Sequence, residues 1–457
     1  MSSTIKRNKY EIDMCNGTIM DKLISFSLPL MLSGILQLMF NAVDIIVIGR
    51  FSGSQSLAAV GSTTALINMF TNLFIGISLG ANVLSARFYA AGKDKEMSET
   101  VHTAITLALI SGIIMVFVGL IFAKPVLELM DTPDDVINLS TLYMRIYFMG
   151  MPFFMLYNYG ASILRAVGDT KRPLFYLIVA GIANAGLNMC LVIIFHLGVA
   201  GVAIGTVISQ LISSILVLRC LYQSETSYQL HFSKLKIQKE YLKQIFQVGI
   251  PAGIQSTVIN FSNVLLQSSV NSFGSIAMAG YTAANNIFGF LYVTVNAVTQ
   301  ACMSFTSQNY GVGKWKRMDR VLIDCLILSF VAMMILGNSA YFFGPKLLTI
   351  YTSNSKVIQC GMEILLYTTV TYFLCGFMDL FPGALRGMGR SGVPMILSII
   401  GTVGTRIVWI FWIFPNHRSL DILFISYPAS WIITIVLQVI CYYFVRKQLY
   451  AKMRAEA

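Results

Sequence analysis

Residues 89–97 read YAAGKDKEM, and residues 310–318 read YGVGKWKRM. Tyr, Gly, both lysines and Met match in register at a spacing of 221. The same spacing lays LRAVGDTKRP (164–173) over LRGMGRSGVP (385–394). One residue more aligns Pro29 with Pro251 and Asn41 with Asn263. The 457 residues are therefore two copies of one unit.

Composition says what surrounds those copies. Hydrophobic residues make up 56% of the chain and charged residues 11%, where a soluble protein carries about 25% charged residues. Mean hydropathy is +0.72. Twelve apolar segments approach the ~20 residues that cross a bilayer. The first six cover 23–48, 59–86, 101–122, 138–163, 173–195 and 199–222; the second six cover 244–270, 279–306, 321–343, 360–384, 394–415 and 421–445. The expected fold is an all-α polytopic membrane protein of 12 transmembrane helices in two six-helix repeats. The divisions are a leader (1–20), an N-lobe (21–222), an inter-lobe loop (223–243), a C-lobe (244–445) and a tail (446–457). The leader is polar and basic, without the apolar stretch of a cleavable signal.

Basic residues orient the spans. With the N-terminus placed in the cytoplasm, 25 of the 32 Lys and Arg fall on the inner side, from Lys6, Arg7 and Lys9 to Lys452 and Arg454. Five fall outside (Arg50, Lys124, Lys346, Lys356, Arg418), and Arg145 and Arg406 lie within spans. This is the positive-inside pattern. It places both termini in the cytoplasm of a multi-pass plasma (inner) membrane protein. It also assigns the net charge of +12 to loops facing lipid headgroups, not to nucleic acid. The eight cysteines form no C-x-x-C pair and read as small core residues rather than metal ligands or a disulfide framework.

Six is even, so both copies enter the membrane from the same side. Parallel repeats leave a cleft between two lobes that opens to either face, the geometry of alternating-access carriers. A duplication kept only for stability is the competing reading.

Polar residues inside the spans carry the functional argument. Asp44 sits in LMFNAVDIIVIGRF (38–51), where a lipid-facing carboxylate costs about 2.5–3.5 kcal/mol. Three readings compete: an ion pair with Arg145, access to the outer surface, or a cation or proton site, the default for such a group. Asn184 and Asn188 stand four apart on one face of span 5. Thr206 lies in the Gly-rich span 6. These are hard oxygen donors suited to Na+, or neighbours for a protonated carboxyl; taken singly, each Asn is equally an interhelical hydrogen bond. The second copy lacks the set: Asp44 maps to Leu266, Asn184 to Thr405 and Asn188 to Trp409.

The C-lobe has its own charge, Asp379, opposite Asn158 in the repeat. Arg406 either pairs with Asp379 or lines the cavity. INMFTNLFIG (67–76) and NNIFGFLYV (285–293) supply Met, Phe and Asn in spans 2 and 8. Met and aromatic faces adapt to varied apolar ligands and attract organic cations. The cavity candidates are Asn41, Met69, Phe70, Asn158, Asn263, Asn286, Phe288, Asp379 and Arg406, with ordinary packing the competing role for each. Pro29 and Pro251 either kink the first helix of each lobe or mark its start.

The stretches SLPLMLSGILQLMFNAVDIIVIGRFSG (27–53), SLAAVGSTTALINMF (56–70), YMRIYFMGMPFFMLYNYGASILRAVGDTKRP (143–173), GIPAGIQSTVIN (249–260) and ALRGMGRSGVP (384–394) together resemble the multidrug and toxic compound extrusion antiporters. The resemblance runs from about residue 21 to 445. It implies a V-shaped pair of six-helix bundles that exports amphipathic, often cationic compounds against inward flow of sodium or protons. It implies no cofactor beyond that coupling ion, and a monomer is expected. Asp44, Asn184, Asn188 and Thr206 match the family's N-lobe cation site. One branch has a second Asp where this chain has Asn188, which leaves sodium open. Another has acids in helices 7 and 10; here Ile259 and Asn260 stand near the first position, and Asp379 is displaced from the second by about a turn.

Three rivals make different demands on the sequence. A lipid-linked precursor flippase of the same superfamily would carry more intracavity Arg and Lys. A major-facilitator importer would carry an acidic–basic loop after span 2, where this chain has ARFYAAGKDKEM. A membrane enzyme would need a motif such as H-E-x-x-H, a nucleophile elbow or a phosphate loop, and the four histidines are scattered.

Overall fold

The computed structural model describes residues 9–130 and 132–456. Lys6 and Arg7, counted among the inner charges, lie outside them, as does the first part of the leader. All regular structure among the described residues is helical. In chain order the helices are α1 (Met20–Phe51), α2 (Gly53–Ala90), α3 (Asp94–Leu129), α4 (Asp134–Met149), α5 (Met151–Ala166), α6 (Lys171–Met189) and α7 (Gly198–Tyr222). Then come α8 (Lys239–Asn271), α9 (Ser275–Gly311), α10 (Trp315–Phe342), the short α11 (Gly344–Leu348), α12 (Ser355–Thr369), α13 (Tyr372–Gly387), α14 (Gly392–Ser398), α15 (Thr405–Val408) and α16 (Leu420–Glu456). π-helical turns follow α6 (Cys190–Ile194) and flank α15 (Ile399–Gly404 and Trp409–Ile413).

Each of the twelve expected spans falls on helix. Nine helices among the described residues are long and apolar enough to cross a membrane, ten when α12 and α13, bent by 45°, count as one span. The other two expected spans differ for visible reasons. Gly150 divides span 4 into α4 and α5, and α8 is long but carries many polar residues.

The repeat reaches down to single residues. The starts of α3, α4, α5 and α6 recur 221 residues on as the starts of α10, α12, α13 and α14. The quoted motifs are helix stops. Gly92 after α2 and Gly313 after α9 have φ of 65° and 71°, a region open to Gly at no steric cost. At each, the Gly N–H bonds back to a Tyr carbonyl (Tyr89, Tyr310), and the next Lys N–H reaches one residue further (Phe88, Asn309). This is the paired closure of a Schellman cap. Both copies keep Y-x-x-G-K because both helices end the same way.

The described residues pack as two compact units: 9–13 with 28–253, and 14–27 with 254–456. In the first, α5 packs on α2, α3 and α7. In the second, α13 packs on the equivalent α9, α10 and α16. Polarity is distributed as in a lipid-embedded bundle. On α3 the outward Ile113, Ile114, Phe117 and Ile121 are 44–60% exposed, while Thr100, Thr103 and Ser111 are buried. Such small residues let helices approach closely where lipid gives apolar burial no advantage.

The first helix of each repeat is shared between units. Met20–Ser27 of α1 belongs to the second, and Lys239–Gly253 of α8 to the first. Pro29 and Pro251 lie inside these helices, next to the changeover, so neither marks a helix start. The first stretch of α8 crosses α2 at two glycine pairs. A Cβ on Gly76 would lie 2.3 Å from Gly253 Cα, one on Gly249 2.4 Å from Ile77 Cα, and one on Gly80 2.1 Å from the Ile245 carbonyl oxygen. GISLG and GIPAG are the small-xxx-small pattern of close crossings. Ahead of α1, the Tyr89 and Tyr228 hydroxyls each donate to Glu11 at 2.6 Å in the first unit. In the second, Lys314 donates to the Cys15 carbonyl and Arg317 to the Gly17 carbonyl.

Candidate functional site

In the first unit α1 lies hard against α6. Gly181 has no side chain, and a Cβ there would fall 1.8 Å from Phe40 Cζ. One turn beyond Phe40, Asp44 meets Asn188, whose Nδ2 donates to Asp44 Oδ1 at 2.5 Å and lies 3.3 Å from Asn184 Oδ1. Asn184 Nδ2 lies 3.4 Å from Thr206 Oγ1 on α7, and Thr206 donates to its own Val202 carbonyl at 3.0 Å. Four side chains from three helices form one polar chain. Asn184 and Asn188 are buried and Asp44 half-buried.

Two features leave this chain short of protons. Among the described residues nothing donates a hydrogen bond to the buried Asn188 Oδ1. It lies over Gly205, where a Cβ would come within 2.2 Å of it. Among the described residues no ion pair joins Asp44 to any cation, and Arg145 is exposed. The pairing of Asp44 with Arg145 is thus not formed: Arg145 leaves α4 on a different face.

Three neighbours went unread in the sequence. Tyr143 and Tyr147 of α4 lie within electrostatic reach of Asp44. Gln210 of α7 lies close to Tyr147, and among the described residues its buried Oε1 has no partner. Each stands four residues from another member (Tyr143 from Tyr147, Thr206 from Gln210), the same-face spacing that singled out the asparagines.

The MatE family model matches residues 29–190 and, a second time, residues 251–412. The chain belongs to the MatE family. Its two matches coincide with the two repeats. MatE proteins are transporters, not enzymes. Among curated relatives, the Probable multidrug resistance protein YoeA of Bacillus subtilis (strain 168) is 30% identical over 434 residues, 93% of each chain. The Multidrug export protein MepA of Staphylococcus aureus (strain NCTC 8325 / PS 47) is 23% identical over 380 residues, 83% of this chain and 84% of that one. The outward-facing structure of a multidrug resistance MATE family transporter of the MOP superfamily superposes with a TM-score of 0.89 at 20% identity, covering 98% of this chain and 100% of that one.

In this MatE chain the remaining candidates scatter. Asn41 and Met69 are exposed, while Phe70 packs edge-on against Phe148, 6.0 Å between centroids. Asn158 caps its own helix carbonyl at Phe154. Phe288 is buried and stacks on Tyr372. Asn286 lines a cavity of about 490 Å³ with Met278, Thr282 and Tyr351. Asn263 and Arg406 come together, Arg406 Nη1 donating to Asn263 Oδ1 at 2.7 Å. Asp379 lies within electrostatic reach of Arg386 and Tyr292. Among the described residues it forms no pair with Arg406; the guanidinium is turned to α8 instead.

Proposed function

We propose that this chain is a cation-coupled multidrug efflux antiporter working by alternating access, with Asp44, Asn184, Asn188 and Thr206 as its coupling site. The observation that carries this reading is a half-buried carboxylate whose neighbours are neutral oxygens and amides, one of them, Asn188 Oδ1, an acceptor with nothing to accept. A fixed charge held that way is favoured by a mobile positive partner. The donors fit a hard cation: carboxylate, two amide oxygens and a hydroxyl. Na+ would be held by those four residues and would supply the neutralising charge; a proton on Asp44 would do the same.

Coupling needs the cation and the exported compound to favour different states, since a ligand shifts an equilibrium only by its differential affinity. One charge moving down 100 mV supplies about 2.3 kcal/mol. The exported compounds are small, amphipathic and organic; the names of YoeA and MepA, a multidrug resistance and a multidrug export protein, support a range of drugs. The basic loops support cytoplasmic termini in the cell membrane, and the protein acts as a monomer.

The test is dye efflux from proteoliposomes under an imposed sodium gradient, then a proton gradient, for wild type and D44N. D44N is expected to insert normally and to lose gradient-driven efflux. Undiminished gradient-driven efflux in D44N overturns the site.

A further inference from the structure

The junction that holds Asp44 in the first unit has a counterpart in the second, where α8 meets α15. There the charge is reversed. Arg406 is 3% exposed and occupies the place next to Thr405, the repeat equivalent of Asn184. Its Nη1 donates to Ser262 Oγ at 3.1 Å and to Asn263 Oδ1 at 2.7 Å. The guanidinium carbon stands 4.7 Å from the Tyr427 ring centroid. Tyr427 in turn shares a 2.8 Å hydroxyl contact with Tyr281 and packs on Trp431. Every one of these partners is neutral.

A buried guanidinium without a carboxylate costs several kcal/mol; two neutral acceptors and an aromatic face offset part of that. Among the described residues its buried Nε has no hydrogen-bond partner and no acceptor takes Nη2. Nε–H and Nη2–H are the edge of the fork that receives a planar oxyanion through two parallel bonds. Lys at this place would offer only a point charge.

We propose that Arg406 is a binding site for the carboxylate of amphipathic aromatic acids, with Tyr427 and its aromatic neighbours beside it. This deepens the transporter reading by naming a substrate class that the second unit recognises. It is measured as binding, without a gradient, so its failure is distinct from a failure of coupling at Asp44.

The experiment uses the purified full chain in phosphatidylcholine nanodiscs, titrated with carboxyfluorescein and separately with ethidium and read by fluorescence anisotropy. Wild type is expected to bind carboxyfluorescein, with benzoate displacing it and benzyl alcohol not. In R406M the affinity ratio of carboxyfluorescein to ethidium should fall at least about tenfold, and R406K should lie between, keeping charge and losing the fork. If R406M fails to fold, the benzoate competition on wild type and the R406K ratio decide. An unchanged ratio in R406M or R406K, displacement by benzyl alcohol as readily as by benzoate, or no carboxyfluorescein binding to wild type overturns the proposal.

Discussion

Asn188 gives its amide hydrogen to Asp44 at 2.5 Å and leaves its own carbonyl oxygen buried and unbonded. One side chain thus steadies the carboxylate and presents a second oxygen beside it. A hydrogen bond to a charged group contributes about 1.5–3 kcal/mol. N188A removes both contributions. The cation concentration for half-maximal dye efflux should rise about tenfold, since each 1.4 kcal/mol is a factor of ten. Efflux assays across a series of sodium concentrations and pH values read that shift; an unmoved midpoint removes Asn188 from the site.

Gly205 supplies a subtler test. A methyl group there would sit 2.2 Å from Asn188 Oδ1, so G205A should displace the amide without touching any charged residue. Its efflux should resemble that of N188A, while its melting temperature stays close to wild type. Wild-type coupling in G205A contradicts the placement of the Asn188 amide.

The crossing of α2 and α8 is set by backbone contact, and overpacking such a place costs about 1–3 kcal/mol. G76V and G249V should each lower the melting temperature in detergent by several degrees. On the same α2, a Cβ added at Gly61 would meet nothing within 4 Å. G61A should be neutral or stabilising, because Ala exceeds Gly in helix propensity by about 1 kcal/mol. Equal losses at Gly76 and Gly61 would show that the crossing is looser than described.

Between α5 and α6, Asp169 is fully buried and ion-paired with Arg172 Nε, and its carboxylate also takes the Arg172 backbone N–H at 3.1 Å. Burial drives the Asp169 carboxyl above the ordinary aspartate range, with Arg172 acting in the opposite direction. Removing the guanidinium alone strands a buried charge. R172M should therefore destabilise by about 3–5 kcal/mol, and D169N added to it should recover a large part. Thermal melts of the two variants measure this; a double variant no better than R172M would deny the pair its role.

The repeat and the polar side chains within spans were legible because each is written locally. Y-x-x-G-K recurs at a fixed spacing, and asparagines four apart share a face wherever the helix goes. Distance is what sequence lacks. It cannot say that Arg145 turns away from Asp44, or that Arg406 chooses Asn263 over Asp379, since both choices depend on the rotation of helices about their axes. Tyr143, Tyr147 and Gln210 were overlooked because tyrosine and glutamine in an apolar helix have many uses. The division of α1 and α8 between units leaves no local mark, because the hydrogen-bonded helix continues through it.

That division has an evolutionary consequence. Each unit is completed by a helix tip encoded in the other half of the gene. In a single unfused repeat the seat on α2 would be filled either by that repeat's own first-helix tip or by the tip of a second copy, exchanged as in a swapped homodimer. In the fused chain that exchange is internal. Separately expressed halves, cut in the loop before Lys239, should accordingly be recovered only when made together.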